Sequence, residues 1–218
     1  MATEPVTLIY CADGNRRFAQ IAIGAGFKYG AQVPNTIYHP PYFCDQNWRK
    51  PNREKYMAAL AQHKPHIASV LDWERQEQLS DVLQWAEEAA QHVDVVMLIP
   101  KVQGGVEQLP RTIGGKPVRL GYSVPTSFGG TELGLWEFGG WPVHLLGGSP
   151  QAQMQLTRYL DVRTADGNYS GRKARQYCQY FDGRRWVQLA TTGFDGRDAP
   201  YVAFELSCKN IMSAWRNP

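Results

Sequence analysis

The tetrapeptide Ala-Asp-Gly-Asn occurs twice in the chain, and the two copies present the carboxylates of Asp13 and Asp166. Each copy follows a short apolar or β-prone run and precedes basic residues. Two carboxylates that face one substrate can divide catalysis between a nucleophile and a proton donor or acceptor. A single Asp-Gly is more often an ordinary turn, and the repeat is also compatible with duplication of a strand–loop unit or with chance. We favour the interpretation in which both carboxylates serve one active site.

Other polar residues and glycines also stand directly after apolar runs. Asp72 ends such a run, and Gln103 precedes a Gly-Gly pair that begins at Gly104. Paired glycines let a flat ligand approach the backbone, and a neighbouring amide can hydrogen-bond its edge. Plainer explanations stay open, because Asp72 can cap the following helix and Gly-Gly is commonly a turn. The residues expected at strand ends are Asp13, His39, Asp72, Gln103, Gly121, Gly147 and Asp166.

The segments that carry these residues alternate between strand-like and helix-like patterns. Apolar residues recur at helical spacing from Leu79 to Val93, and Ser149 and Pro150 suit the start of another helix. The alternation indicates a parallel α/β fold, and we expect a small or incomplete (β/α) TIM-type barrel. A doubly wound open sheet is the alternative, although no G-x-G-x-x-G motif follows the first strand. Strands are predicted at 6–11, 35–39, 66–73, 94–102, 116–124, 141–148 and 162–166.

The chain is expected to form a single domain, residues 1–218, with a barrel core at 1–170 and a basic C-terminal extension at 171–218. The extension contains Asp-Gly turns typical of a hairpin and a final helix-like segment. From Arg158 onward the net charge is +4, whereas the rest of the chain carries −1. Such a region suits contact with phosphates, although a solvated basic face is equally common. The candidate phosphate-binding residues are Arg16, Arg17, Arg172, Lys173 and Arg175.

Composition excludes several classes of protein. Hydrophobic residues make up 43% of the 218 residues, which argues against general disorder. No apolar run approaches the roughly 20 residues of a membrane span, and the N-terminal segment lacks the basic region of a signal peptide. We therefore expect a soluble, cytoplasmic protein that does not act at a membrane. The four cysteines are scattered without zinc spacing, so no metal site and no cofactor are predicted.

An ordered series of motifs resembles the tRNA-guanine transglycosylase superfamily. The series runs SVLDWE, LQWAEEA, VQGGVEQL, LGYSV, VHLLGGSPQAQ and TADGNYSGR. It is most similar to the phage and bacterial branch that inserts 7-deazaguanines such as preQ0 into DNA. The similarity spans roughly residues 67–175, and the order and spacing of the motifs carry its specificity. It implies a base-exchanging glycosyltransferase that acts in the cytoplasm. For a phage-encoded protein this is the cytoplasm of the host.

The resemblance implies a role for each matched residue. Asp166 matches the nucleophile that attacks C1′ of the target nucleotide, and Asp13 falls where the family keeps a second Asp that handles a proton. Asp72, Gln103 and the backbone at Gly121 match groups that bind the edge of a guanine-like base. Such a carboxylate pair suits the oxocarbenium-like transition state of N-glycosidic bond cleavage. The remaining substrate-binding candidates, which flank these positions, are Gly104, Gly147, Gly148, Asn15 and Asn168.

The chain also departs from the tRNA enzymes. It lacks their Cys-x-Cys-x-x-Cys…His zinc site and the room for a tRNA-anchoring insertion, so DNA or a free nucleoside becomes the expected substrate. A base within a duplex is unreachable, so the substrate is a single strand or a flipped base, with Tyr42, Phe43 and Trp48 in a loop as candidates for stacking. Alternatives are an N-glycoside hydrolase on the same barrel and a non-catalytic nucleic-acid-binding module. The oligomeric state is left open.

Overall fold

The short apolar runs form parallel strands that close into a barrel. The structure, a computed structural model, describes residues 5–12, 14–47, 49–127, 129–190 and 195–216. Eight parallel strands pair in the circular order β1-β2-β3-β4-β5-β7-β8-β9, and β6 (Thr112–Ile113) adds an antiparallel hairpin to β7. Their bounds are β1 Thr7–Ala12, β2 Lys28–Val33, β3 Phe43–Gln46, β4 Ile67–Trp73, β5 Val95–Pro100, β7 Lys116–Ser123, β8 Pro142–Leu146 and β9 Asp161–Gly167.

Connections without an α-helix explain how so short a chain closes the barrel. The expected TIM-type barrel is confirmed, and the open-sheet alternative is wrong because β5 pairs with β7. The ring of strands is complete, whereas the described parts of the β2–β3, β5–β7 and β7–β8 connections contain no α-helix. The α-helices are α1 Arg16–Gly24, α2 Arg53–His63, α3 Leu79–Ala89, α4 Pro150–Leu156, α5 Tyr169–Tyr177 and α6 Ala199–Arg216.

Alternation of side chains along each strand divides the core into an inner and an outer part. Residues such as Ile9, Phe43, Ile67 and Met97 fill the barrel interior, and each is almost fully buried. Their strand neighbours pack outward against the helices, as Ala68 and Val70 do on β4. A polar residue at an inward position near the carboxyl end of a strand therefore projects into the mouth of the barrel.

The segment between α1 and α2 differs from the sequence prediction. Residues 35–39 are not a strand; they lie in the loop between β2 and β3, and His39 therefore does not end a strand. Phe43 is not a loop aromatic but a fully buried residue of β3, whereas Tyr42 is half-buried just before it and Trp48 lies outside the described residues. Strands β2 and β3 were not predicted, because β2 contains Lys, Gly and Gln and β3 is only four residues long.

The C-terminal region adds a hairpin and a long helix to the barrel. As predicted, the hairpin pairs β10 (Gln179–Phe181) with β11 (Trp186–Gln188), and the closing segment is helical as α6. Phe204 of α6 packs against Tyr10 and Phe18, with ring centroids 4.9 and 4.6 Å apart. The extension thus shares a core with β1 and α1. No helix in the described ranges is long and apolar enough to cross a membrane.

Candidate functional site

A polar cleft occupies the carboxyl-terminal mouth of the barrel, where parallel α/β folds concentrate their chemistry. Its volume is about 870 Å³. Residues from opposite sides of the barrel reach it, including Cys11 of β1, Asp45 of β3, Asp72 of β4 and Asp166 of β9. The convergence of strand ends thus brings three carboxylates from distant parts of the sequence into one cavity.

Asp166 is a buried carboxylate held by hydrogen-bond donors. Its side chain is 10% exposed, and its Oδ1 lies 3.2 Å from Nε2 of His144 on β8. The backbone N–H of Gly147 donates to the same oxygen at 3.3 Å. The Cys11 thiol hydrogen-bonds to this carboxyl group, and burial together with the Asp166 charge raises the pKa of the thiol well above its usual value. Cys11 is therefore a neutral donor, and not a thiolate nucleophile.

The loop after β8 is fixed to β9 by one amide. Nε2 of Gln153 on α4 donates to the backbone oxygens of Gly147 and Asp166, both at 2.7 Å. Gly147 and Gly148 adopt positive φ angles of 65° and 83°, which L side chains rarely tolerate. A Cβ at Gly148 would also lie 2.6 Å from a methyl group of Val124. The glycine pair therefore lets the backbone pass close to Asp166 and line the cleft.

Asp45 is a functional candidate that the sequence analysis missed. Ser69 donates a 2.6 Å hydrogen bond to its Oδ1, and Gln32 provides a second hydrogen bond. Burial, with added repulsion from Asp166 and Asp72, raises the pKa of Asp45 to about 7. A carboxyl group with that pKa can both donate and accept a proton near neutrality. The available signal was an Asp directly after the apolar pair Phe-Cys of a very short strand.

Asp72 forms the centre of an ion-pair group. Its carboxylate lies 2.6 Å from Nζ of Lys101, and Glu74 contacts the same ammonium group at 3.2 Å. The Asp72 and Lys101 side chains are only 18% and 22% exposed. Burial raises the pKa of Asp72, although Lys101 opposes the shift. Asp72 belongs to β4 and is engaged by Lys101, so the helix-cap interpretation is wrong.

The sequence-predicted substrate residues separate into two groups. Gln103 and Gly104 are exposed beyond β5, outside the cleft lining, and the Gly104 N–H donates to Glu137 at 2.9 Å. Gly121 is buried within β7, where a Cβ would lie 2.8 Å from Ile99. Asn15 caps α1 by accepting from the Phe18 N–H at 3.1 Å. Those that do line the cleft are Asp72, Gly147, Gly148, Asp166 and Asn168.

The two Ala-Asp-Gly-Asn copies do not occupy equivalent positions. β1 and β9 are adjacent parallel strands, and Asp166 is level with Ile9. The second Asp-Gly lies within β9, and Ala165, which precedes it, is level with Leu8 and not with Ala12 of the first copy. Asp13 itself lies outside the described residues. The repeat in sequence is thus not a repeat in strand register.

The five predicted phosphate-binding residues also differ in position. Arg172 lines the cleft with its guanidinium 5.2 Å from the Tyr169 ring, and Nζ of Lys173 lies 5.8 Å from that ring. Arg175 lies over the Phe18 ring on the outside of the barrel. Arg17 pairs with Asp198 at 2.8 Å and covers the ring of Tyr201, and Arg16 is exposed on α1. Only Arg172 of the five contributes to the cleft lining.

Comparison with known proteins supplies a family and no activity. No curated protein matches the sequence at a significant level. The sequence profile of a family of unknown function, DUF6610, matches residues 22–216, which include seven of the eight barrel strands and residues 171–216 of the C-terminal extension. The chain therefore belongs to the DUF6610 family.

Proposed function

We propose that the protein is a base-exchanging transglycosylase that replaces guanine in DNA with a 7-deazaguanine such as preQ0. The observation that carries the proposal is the position of Asp166, a carboxylate that lines a cleft in the barrel mouth, with the Gly147 N–H and Nε2 of His144 at one of its oxygens. The motif resemblance independently assigns the nucleophile to the same residue. A carboxylate so placed suits attack on an anomeric carbon.

The reaction divides into two displacements at C1′ of the target nucleotide. Asp166 forms a bond to C1′ while the glycosidic bond breaks, and the departing guanine takes the electron pair on its nitrogen together with a proton from a carboxylic acid. The 7-deazaguanine then returns a proton to that carboxylate, attacks C1′ and releases Asp166. The group that handles the proton must therefore change its ionisation state near neutral pH.

Asp45 suits this acid–base role. Its pKa of about 7 allows both halves of the proton cycle, and the charge of Asp166 contributes to that value. In sites with two carboxyl groups, the one whose surroundings raise its pKa usually serves as the acid. The motif resemblance gives this role to Asp13, which lies outside the described residues. We assign the proton to Asp45 because it lines the same cavity as Asp166.

Asp72 and Lys101 suit recognition of the base. Guanine and its 7-deaza analogues present N–H donors at N1 and the 2-amino group beside the O6 acceptor. A carboxylate accepts from the two donors, and the ammonium group 2.6 Å from it donates to the oxygen. Adenine presents the opposite pattern on this edge, so the pair would select guanine-like bases.

Basic and aromatic groups beside Asp166 suit the flanking DNA strand. Arg172 and Lys173 lie over or near the Tyr169 ring, and Lys173 is also 5.0 Å from the half-exposed ring of Tyr177. Cations bind phosphates and aromatic faces stack on unpaired bases. The target base must leave the helical stack to bring C1′ to Asp166, so a single strand or a flipped nucleotide is the expected substrate.

The test is incubation of the purified protein with a guanine-containing oligonucleotide and preQ0, followed by digestion to nucleosides and mass spectrometry. We expect a deazaguanine nucleoside from the wild type and none from Asp166→Asn. Asp161→Asn is the matched control, because Asp161 is an exposed residue of the same strand paired with Arg163 at 2.9 Å. Free guanine without insertion would indicate the hydrolase instead, and DNA binding without chemistry would indicate a binding module.

A further inference from the structure

We propose that Arg119, Thr164 and His144 form a buried positioning chain that fixes Oδ1 of Asp166 and leaves Oδ2 to attack C1′. The inference rests on the proposed function of Asp166 and adds three residues that neither the motifs nor the family assign. All three belong to the adjacent strands β7, β8 and β9. None of them lines the cleft, so they act through Asp166 and not on the substrate.

The chain is continuous in hydrogen bonds from the barrel interior to its mouth. Nη1 of Arg119 donates to Oγ1 of Thr164 at 3.1 Å, and that hydroxyl lies 2.6 Å from Nδ1 of His144. Nε2 of His144 then reaches Oδ1 of Asp166 at 3.2 Å. His144 has no exposed surface, and Thr164 is 2% exposed. Water therefore does not reach the bond between His144 and Thr164.

The direction of the hydrogen bonds follows from the two ends of the chain. Arg119 can only donate, so Thr164 accepts from it and keeps its own proton for Nδ1 of His144. Nδ1 is then an acceptor, and the neutral imidazole carries its proton on Nε2. That proton points at Oδ1 of Asp166. The opposite tautomer would place two acceptors against each other at 3.2 Å.

The consequence for the reaction is a division of labour between the two carboxylate oxygens. Oδ1 accepts from His144 and from the Gly147 N–H, so its orientation is set before substrate binds. Oδ2 receives neither of these two bonds and is the oxygen assigned to the bond to C1′. When the incoming base displaces Asp166, negative charge returns to the carboxylate, and the same two donors stabilise it without reorganisation. His144 and Thr164 are thus positioning residues for both half-reactions.

The surroundings of the chain make a purely structural role a poor explanation. The His144 ring packs 4.9 Å from the Phe43 ring, inside a barrel otherwise filled by aliphatic side chains such as Ile9 and Met97. Buried Nε of Arg119 has no hydrogen-bond partner among the described residues. Apolar side chains would fill this space without the cost of burying polar groups. The chain is therefore explained by what it does for Asp166.

The decisive comparison is between Thr164→Val and Thr164→Ser. Valine keeps the shape of the side chain and removes the hydroxyl, whereas serine keeps the hydroxyl. We expect Thr164→Val to lower kcat about 100-fold, since loss of a fixed orientation costs roughly that much, with KM for DNA and for the base within about twofold. Thr164→Ser should retain kcat within about threefold. Equal kcat values in the two variants, with both folded by circular dichroism, would overturn the proposal.

A second measurement tests the hydrogen-bond chain without enzymatic turnover. In protein labelled with ¹⁵N-histidine, the His144 signal is identified by its loss in His144→Gln. We expect a protonated Nε2 and an unprotonated Nδ1 in the wild type and in Thr164→Ser, and a shift from this tautomer in Thr164→Val. A wild-type Nδ1–H tautomer, or no change in Thr164→Val, would contradict the chain.

The two measurements separate failure of the inference from failure of the proposed function. In one outcome the wild type exchanges no base, but His144 shows the expected tautomer and its dependence on Thr164. That result would refute the transglycosylase activity and support the hydrogen-bond chain. A wild type that exchanges base while Thr164→Val matches it in both kcat and tautomer would keep the function and refute the chain.

Discussion

The β8–β9 side and the β3–β4 side of the barrel mouth each hold a carboxyl group, but they surround it differently. On the β8–β9 side, Asp166 receives N–H groups from His144 and Gly147. On the β3–β4 side, Asp45 receives a hydrogen bond from Ser69, and its charged neighbours are the anions Asp166 and Asp72. N–H donors favour a fixed anion, whereas burial among anions favours a proton.

The contrast suggests how one cavity supports two roles with one residue type. The β8–β9 side prepares a charged oxygen in a set orientation, as a nucleophile requires. The β3–β4 side raises the pKa of Asp45 to about 7, as a group that passes a proton back and forth requires.

Replacing Asp45 should slow the release of guanine and remove the dependence of that rate on pH. We expect Asp45→Asn to slow guanine release by about 100-fold to 10,000-fold, because the leaving base loses its proton donor. In the wild type the same rate should fall above about pH 7, where Asp45 ionises. In Asp45→Asn the rate should show no such fall at high pH. The measurement is single-turnover release of labelled guanine from pH 5.5 to 9.

DNA affinity serves as the control for that experiment. Asp45→Asn should bind the oligonucleotide as tightly as the wild type or slightly more tightly, since one buried negative charge is removed. A variant that keeps the wild-type rate and the high-pH limb would show that another group, with Asp13 as the first candidate, handles the proton.

The same substitution should stabilise the fold in alkaline solution. Because folding raises the pKa of Asp45 from 3.8 to about 7, the folded protein binds this proton more tightly than the unfolded chain does. Stability from this group is thus lost as pH rises through that window. We expect Asp45→Asn to raise the free energy of unfolding by about 4 kcal/mol at pH 8 and by less than about 1 kcal/mol near pH 4.

Urea unfolding of the two proteins at several pH values measures this difference directly. A stabilisation that is the same at every pH would mean that Asp45 is destabilising for a reason other than its charge, and would weaken the contrast between the two sides.

Removing the cation beside Asp72 should affect the base and spare the nucleophile. Lys101→Met takes away the charge that opposes the burial shift, so the pKa of Asp72 rises further and fewer molecules carry the anion. We expect the KM for the incoming base to rise about tenfold, the value of one charge-assisted hydrogen bond. Lys209→Met on α6 should leave this KM unchanged. An unaltered KM would remove Asp72 and Lys101 from base recognition.

The smallest expected effect separates two arginines that the sequence treats alike. Arg172 lines the cleft, whereas Arg17 is paired with Asp198 on the outside of the barrel. Arg172→Ala should weaken DNA binding about threefold to tenfold and lower the salt slope by about one. Arg17→Ala should change affinity by less than about twofold. Equal losses, measured by fluorescence anisotropy at several salt concentrations, would place DNA beyond the cleft.

The parts of the fold that were predictable are those with strong local patterns. The apolar run of β5 is buried throughout, and α3 and α4 begin and repeat as their sequences indicate. β2 and β3 were missed because their inward positions include Gly30, Gln32 and Asp45, which local hydrophobicity does not recognise as strand. Gly30 is required there since a Cβ would lie 2.6 Å from Sγ of Cys11, a contact between strands.

The candidate site was predictable only where a residue ends a visible strand. Asp72 and Asp166 follow apolar runs and do lie in the cleft. Asp45 depends on an unrecognised strand, and the contacts of His144 with Thr164 and Asp166 depend on strand register, which no single segment encodes. The same reason separates the two Ala-Asp-Gly-Asn copies, because Ala165 is level with Leu8 on β1 and not with Ala12.

The most direct test of the central claim is to capture the sugar on the protein. Wild type, Asp166→Asn and Asp161→Asn are mixed with the oligonucleotide in the absence of any incoming base, quenched in denaturant and digested for peptide mass spectrometry. We predict a nucleotide adduct on the peptide that contains Asp166, present in the wild type and in Asp161→Asn and absent from Asp166→Asn. An adduct that persists in Asp166→Asn, or deazaguanine incorporation by that variant at the wild-type rate, would contradict the assignment of Asp166 as the nucleophile.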